Sequence, residues 1–282
     1  MIVFLNDRWM PAEQALVPVF DRGFLYGDGL FETIRVVNGH PFRWGAHWRR
    51  LEAGAGALCL GLPMGAKQGR SLASEIVNRN ACPEGVLRIN VSRGNGPRGY
   101  SPKGCGRSTF CMSIHPLPRH DPSRPIEWKL KTVSIPLPAR DILSGLKNTN
   151  KLRQIMAKAE AEEAGADEAV LLTPGGMIAE GAASNLFWFE GDELCTSPLD
   201  YGILPGITRE IILELSRKLG IPFKERSRPG TEGPGLAGVF CSLSSVGIAE
   251  AAQFDGMKSQ RSTRVSQLYR SYLEQVSLEC AG

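Results

Sequence analysis

Residues 115–125, His-Pro-Leu-Pro-Arg-His-Asp-Pro-Ser-Arg-Pro, place four prolines in eleven positions. Proline fixes φ and carries no backbone N–H, so this run can continue neither a helix nor a central strand. It reads as an extended connector, dividing the 282-residue chain into an N-terminal domain at 1–115, a connector at 116–125 and a C-terminal domain at 126–282. A chain of this length can bury a substantial core.

Before the connector, Met1–Leu5 and Leu30–Asn38 read as strands, with Gly39 turning the chain. Trp44–Leu60 reads as a helix, because His47, Arg50, Leu51 and Gly54 recur at helical spacing on one face. A second helix is predicted over about Lys67–Asn78. Val86–Ser92 alternates like a strand, and Thr109–Ile114 is its expected hairpin partner across a Gly-rich loop. After the connector, Trp128–Ile135 reads as a strand and Asn150–Ala164 as a helix closed by Gly165. Three short strands follow at Glu168–Leu172, Asn185–Phe189 and Glu193–Thr196, separated by Pro174-Gly175-Gly176 and Glu190-Gly191-Asp192 turns. Thr208–Leu219 reads as a helix ended by Gly220, and Gly238–Ser244 as a strand. Val265, Leu268, Tyr272 and Val276 form a last helical stripe. Helices and strands mix without regular βαβ alternation, which predicts a two-domain α+β fold.

Composition removes several function classes. At 42% hydrophobic and 22% charged residues the chain resembles ordinary globular proteins. Its 33 basic and 29 acidic residues are spread along the sequence with no basic run, so no nucleic-acid partner is expected. No stretch approaches the ~18 consecutive apolar residues of a membrane helix, and the N-terminus lacks the basic start of a secretory signal. Seven widely spaced cysteines with no CxxC pair, and four histidines at no metal-ligand spacing to them, fit reduced cytoplasmic thiols without a metal site.

Two segments match G-x-G-x-x-G, at Gly94–Gly99 and Gly233–Gly238. A dinucleotide site needs that motif to leave a strand and open a helix. The first runs into Tyr100-Ser101-Pro102-Lys103-Gly104 and the second into a strand, so both are loops. More telling are segments far apart in sequence: Phe20–Arg35 (FDRGFLYGDGLFETIR), His47–Leu51 (HWRRL), Ser92–Tyr100 (SRGNGPRGY), Gly145–Lys158 (GLKNTNKLRQIMAK), Gly165–Trp188 (GADEAVLLTPGGMIAEGAASNLFW) and Gly202–Arg209 (GILPGITR). In this order the set resembles the class IV, or fold-type IV, pyridoxal phosphate enzymes over almost the whole chain. That family includes D-amino acid and branched-chain aminotransferases and aminodeoxychorismate lyase. The resemblance implies a D-amino acid aminotransferase-like fold with pyridoxal 5'-phosphate between the domains.

It also implies roles for individual residues. Chemistry with this cofactor needs a lysine for its aldehyde, an acid facing the pyridine nitrogen and a cup for the phosphate. Lys147, in an apolar-flanked loop before a helix, matches the family's catalytic lysine. Lys151 and Lys158 are expected inside that helix, where a surface role is the default. Glu180, in AEGAASNLFW, matches the acid facing the pyridine nitrogen, and Arg50 the phosphate-binding arginine, its guanidinium fork suiting phosphate oxygens. Ile207 and Thr208 enter a helix, where the first backbone N–H groups can hold a phosphate. Ser244 is the expected hydroxyl donor to the phosphate, with Ser245 an equal neighbour, and Leu204 is expected against the pyridine ring.

The resemblance puts Arg98, Tyr100 and Phe31 on the substrate side. D-amino acid transaminases carry a histidine where Tyr100 stands and a tyrosine where Phe31 stands. The Arg98-Gly99-Tyr100 run looks more like aminodeoxychorismate lyase, although Ser242 stands where some lyases carry asparagine. The leading expectation is therefore conversion of 4-amino-4-deoxychorismate to 4-aminobenzoate and pyruvate. Transamination of branched-chain or D-amino acids with a 2-oxo acid is the alternative, and a non-catalytic binding protein on the same fold is a third reading. A small-molecule amine or amino acid is the expected partner, and the family is typically homodimeric.

Overall fold

The computed structural model describes residues 1–117 and 121–281. Its contacts divide the chain into two units: Met1–Pro118 with Leu146–Asn150 and Val276–Gly282, and Arg119–Gly145 with Lys151–Gln275. Neither unit is an uninterrupted half of the chain, as a single division at the proline run would make it. Pro116 ends a strand opposite Gly85, and residues 118–120 of the expected connector lie outside the described residues.

The first unit is built on β1 (Ile2–Leu5), β2 (Arg8–Pro11), β3 (Gly29–Val37), β4 (His40–Pro41), β5 (Gly85–Ser92) and β6 (Thr109–Pro116). They form one antiparallel sheet ordered β2-β1-β6-β5-β3-β4. The expected β5–β6 hairpin is there, paired from Gly85–Pro116 to Ser92–Thr109. Three helices accompany it: α1 (Arg22–Tyr26), α2 (Trp44–Ala57) and α3 (Ala66–Arg79). Alternation sorts the sheet residues. Leu30, Ile34, Leu87, Ile89, Met112 and Ile114 share one core with Trp44, Trp48, Leu51 and Ile76 of the helices. Val86, Arg88, Asn90 and Ser92 occupy the other face of β5 and stay half-buried.

The second unit contains β7 (Ile126–Thr132), α4 (Leu152–Glu163), β8 (Glu168–Leu172), β9 (Ile178–Gly181), β10 (Asn185–Glu190), β11 (Glu193–Thr196), α5 (Ile207–Lys218), β12 (Phe223–Glu225), β13 (Ala237–Leu243), β14 (Gly247–Phe254) and β15 (Met257–Lys258). The sheet order is β12-β11-β10-β13-β14-β7-β8-β9, with β15 on β14. Parallel pairing at β11–β12, β14–β7 and β7–β8 makes it mixed. α6 (Thr263–Glu279) closes the chain, and its predicted stripe of Val265, Leu268, Tyr272 and Val276 is buried.

Several boundaries differ from the sequence reading. The expected strand at Trp128–Ile135 runs instead from Ile126 to Thr132. Lys151 is the N-cap residue of α4 rather than a residue inside it. Glu180, expected after a turn, lies in β9, which was not foreseen: four residues are too few to show a period. β12 and β15 escaped for the same reason.

Helix packing in the first unit can be tested at two glycines. A Cβ on Gly69 of α3 would meet the Trp48 ring at 2.5 Å, whereas one on Gly56 of α2 would meet nothing within 4 Å. Gly69→Ala is expected to destabilise by about 1–3 kcal/mol through overpacking, and Gly56→Ala to stabilise by roughly 0.5–1 kcal/mol through helix propensity. Urea midpoints of the two variants, compared with wild type, check both signs.

Candidate active site

The position of Lys147 follows from an incomplete strand pairing. β4 covers only the Val36–Val37 end of β3, leaving the backbone of Gly29–Phe31 open on that edge. Residues 147–149 fill it: the Phe31 N–H donates to the Lys147 carbonyl at 2.9 Å and the Thr149 N–H to the Gly29 carbonyl at 3.0 Å. Close approach depends on glycine. A Cβ on Gly27, which sits at φ +65°, would lie 2.4 Å from Asn150 Oδ1. Asn150 Nδ2 and Thr149 Oγ1 both donate to the Gly27 carbonyl, at 2.8 and 2.7 Å.

This register pairs Lys147 with Phe31, so both side chains leave the same face of the sheet. Lys147 Nζ lies 4.6 Å from the centre of the Phe31 ring, and the Arg88 guanidinium lies 3.7 Å from it. Arg88 is steadied by Thr33 Oγ1 and Asn90 Oδ1, each at 3.2 Å. Burial draws its pKa below the ordinary guanidinium value against the pull of Glu32, yet a guanidinium remains charged at neutral pH. An amine and a fixed cation thus share one ring.

The opposite side of β3 carries Glu32, whose side chain is almost fully buried at 1% exposure. Arg50 of α2 grips it side-on, Nε to Oε1 and Nη2 to Oε2, both at 2.7 Å. His47 Nδ1 lies 2.7 Å from Oε2. Burial alone would raise the Glu32 pKa; hydrogen bonds and charge from Arg50 and His47 overcome it and bring the value to about 2. Burial lowers the pKa of His47, opposed by Glu32 and assisted by the charges of Arg50 and Lys147. A neutral His47 beside an ionised Glu32 must donate from Nδ1, which leaves Nε2 as an acceptor.

In the second unit Glu180 is buried on β9, and its Oε2 accepts from the Leu204 N–H at 2.9 Å and from Asn185 Nδ2 at 3.1 Å. Asn185 Nδ2 also donates to the Leu204 carbonyl at 2.9 Å. One amide therefore ties the acid to the segment entering α5. That entry has no side-chain cap, Gly206 being the N-cap, and a Cβ there would meet Asn185 Oδ1 at 2.1 Å. Ile207 and Thr208 are buried at the start of the helix. Ser242, cross-strand from Asn185, has a buried hydroxyl with no hydrogen-bond partner among the described residues. Ser244 and Ser245 are half-buried in the turn that follows β13.

Each of these features suits a cofactor bearing an aldehyde, a ring nitrogen and a phosphate. Lys147 offers the amine and Glu180 a fixed carboxylate. The uncapped α5 start offers backbone donors to an anion, and the orphaned Ser242 hydroxyl awaits a partner.

The profile of the amino-transferase class IV family matches residues 29–254. The chain belongs to that family. Its cofactor is pyridoxal 5'-phosphate, and its members are pyridoxal phosphate-dependent transaminases and lyases. A Methanocaldococcus jannaschii protein provisionally named branched-chain-amino-acid aminotransferase is 36% identical over 229 residues, covering 80% of this chain and 78% of its own. Aminodeoxychorismate lyase of Bacillus subtilis is 31% identical over 225 residues, covering 79% and 76%. Among solved structures, the branched-chain aminotransferase of Thermoproteus uzoniensis with norvaline superposes at TM-score 0.88 with 27% identity, covering 99% of this chain and 97% of that one. These neighbours share the fold-type IV architecture expected from the sequence motifs.

Within the first unit the structure gathers Lys147, Phe31, Arg50, His47, Glu32 and Arg88. Within the second it gathers Glu180, Leu204, Ile207 and Thr208 around Asn185. Arg98 and Tyr100 are exposed on the β5–β6 loop. Glu32, Arg88, Asn185 and the orphaned Ser242 hydroxyl were not singled out for these roles from sequence. For the first two a signal existed: each is a charge in the middle of an apolar strand, where an unpaired charge would be costly.

The Glu32 pair makes a stability prediction with a definite sign. A carboxyl whose pKa falls from 4.5 to about 2 on folding contributes stability that is complete above 4.5 and lost as pH falls toward 2. His47, depressed below its ordinary 6.5, adds a loss beginning below that value. Wild-type urea midpoints should therefore drop steadily on acidification. Glu32→Gln should cost about 3 kcal/mol at pH 7 by removing the buried negative charge that Arg50 and His47 face and should flatten the part of the profile below pH 4.5.

Proposed function

We propose that this class IV enzyme is an aminodeoxychorismate lyase, converting 4-amino-4-deoxychorismate to 4-aminobenzoate and pyruvate. The observation that carries the reading is the Lys147 amine and the Arg88 guanidinium over one Phe31 ring. A proton-transfer group beside a fixed cation suits a small anion that must lose a proton. The substrate has two carboxylates, and Arg98 on the β5–β6 loop supplies a second guanidinium.

The cofactor, when bound, supplies an electron sink for negative charge at the amine-bearing carbon. Lys147 would hold the cofactor by its aldehyde, and the Lys147 amine would serve as the base that removes the proton from the amine-bearing carbon of the substrate. The same amine delivers a proton to the methylene carbon of the departing enolpyruvate, which leaves as pyruvate. Glu180, oriented by the Leu204 N–H and Asn185, holds a proton at the pyridine nitrogen. In the second unit the Ile207 and Thr208 amides and Ser244 would hold a phosphate, and in the first the Arg50 guanidinium, oriented by Glu32, would do so. Leu204 packs against the ring. Arg88, Arg98 and Tyr100 orient the substrate carboxylates, and Phe31 walls the space beside the lysine.

A second reading, transamination, is favoured by the 36% identity to the Methanocaldococcus jannaschii protein. Arg88 would then hold a side-chain carboxylate of a 2-oxo acid, and Lys147 would move the proton of the substrate α-carbon. The family habit of dimerising suggests a homodimer. Leu16, Val19, Phe20 and Phe24, large apolar side chains exposed on the isolated chain, are consistent with one. No described helix is long and apolar enough to cross a membrane, and seven free cysteines accord with the proposed cytoplasmic location.

Purified holoenzyme should release 4-aminobenzoate from aminodeoxychorismate. Keto acid formation from branched-chain or D-amino acids without 4-aminobenzoate would select transamination instead. Borohydride reduction and peptide mapping should find the cofactor's mass on the Lys147 peptide, and Lys147→Ala should lose both that label and the visible absorbance band. Absence of bound cofactor in wild type would support the non-catalytic binding protein.

A further inference from the structure

The loop between β5 and β6 is rich in glycine and proline and forms no regular structure over 97–104, yet it carries Arg98 and Tyr100. A backbone without a ladder must find partners for its polar groups elsewhere. Here they come from one buried arginine. Arg22 of α1 is 3% exposed; its Nη1 donates to the Gly99 carbonyl at 2.7 Å and its Nη2 to the Tyr100 carbonyl at 3.2 Å. Its Nε is held by Asp28 Oδ2 at 2.9 Å, which Arg93 engages from the loop's first residues at 2.7 Å. The aliphatic stem of Arg22 fills the place of a side chain at Gly96, where a Cβ would come within 2.9 Å of Arg22 Cδ. Tyr26, one turn along α1, completes the clasp. Its ring lies under the guanidinium at 4.8 Å, its hydroxyl accepts from the Gly99 N–H at 3.1 Å, and it meets the Tyr100 ring edge-on at 5.7 Å.

The geometry points to Arg22 and Tyr26 as positioning residues that hold the Arg98–Tyr100 turn in one conformation and so set affinity for the carboxylate-bearing substrate. Three contacts converge on Gly99 and Tyr100: two donors to successive carbonyls and one acceptor for the amide between Arg98 and Gly99. A guanidinium can serve two carbonyls and a carboxylate at once because its five donors lie in a plane. Lysine, with a single ammonium, cannot span them. Neither Arg22 nor Tyr26 needs to touch the substrate; they fix the backbone from which Arg98 and Tyr100 project. Without the clasp the loop samples many conformations, and its apparent affinity falls by the fraction that remains competent.

The inference rests on the reading of Arg98 and Tyr100 as substrate contacts, and the test separates the two. Three variants of the holoenzyme are compared: Tyr26→Phe, which removes one hydroxyl and keeps the packed ring, Arg22→Lys, and Arg98→Ala. Hydrogen exchange of the peptide spanning residues 94–104 reads the clasp alone, and steady-state kinetics with aminodeoxychorismate, or with whichever amino donor proves active, reads its consequence. Tyr26→Phe is expected to speed exchange in that peptide several-fold and to raise KM about threefold; Arg22→Lys should raise KM about tenfold or more, with kcat within about twofold of wild type in both. Adding Arg98→Ala to either should raise KM by less than the product of the two single effects, because the clasp acts in part through that side chain and in part through Tyr100. Unchanged exchange in both clasp variants overturns the clasp. Faster exchange with unchanged KM, when Arg98→Ala raises KM, overturns its role in affinity. An Arg98→Ala enzyme with wild-type KM overturns the substrate-contact reading itself, and with it the kinetic role given to Arg22. If Arg22→Lys does not fold, the milder Tyr26→Phe still decides between these outcomes.

Discussion

Two backbone hydrogen bonds, from Phe31 to the Lys147 carbonyl and from Thr149 to the Gly29 carbonyl, decide where the Lys147 amine lies. Lys147 is more than a hundred residues from β3 in sequence, yet those bonds make it a cross-strand neighbour of Phe31. The ladder exists because β4 is two residues long and leaves the Gly29–Phe31 end of β3's edge uncovered. Buried backbone groups require partners, and the segment Leu146–Asn150 supplies them. A flexible loop would leave the amine free to wander; a paired strand fixes its origin to the precision of a sheet.

The two sides of β3 divide the work. One side presents Phe31 with the Lys147 amine and the Arg88 guanidinium; the other buries Glu32 against Arg50 and His47. A buried carboxylate alone would protonate or unfold the strand, but three hydrogen bonds from two neighbours keep it ionised. The charge then orients Arg50 and fixes the tautomer of His47. In the second unit Asn185 does comparable work for Glu180, linking the acid to Leu204 and filling the space that makes Gly206 obligatory. In both units a buried polar residue fixes the orientation of a candidate site residue.

The motifs carrying the family resemblance were legible because they are local: short runs in which glycine, charge and spacing stand together. Helices with a clear stripe were legible too, and α3 and α6 lie close to where periodicity placed them. The extreme shortness of β9, β12 and β15 hid them from any periodic reading. Lys151 lies one residue outside the helix, and the strong helix formers Leu152, Arg153 and Gln154 that follow it conceal where the first helical turn begins. Glu32 and Arg88 could have been flagged as charges in apolar strands, but their partners could not, since Arg50 and Phe31 meet them only across an element pairing.

Sequence by itself determined the family and the α+β mixture, and it singled out Lys147, Glu180 and the loop bearing Arg98 and Tyr100 as candidates. Those follow from residue types and spacings along the chain, which need no folding to be read. Tertiary structure alone decided that Lys147 pairs with β3, that Glu32 holds Arg50, that Asn185 holds Glu180, and that Arg22 clasps Gly99 and Tyr100. Each of these joins residues from separate elements. Strand register and side-chain burial select such pairs, and both arise only when the whole sheet has formed.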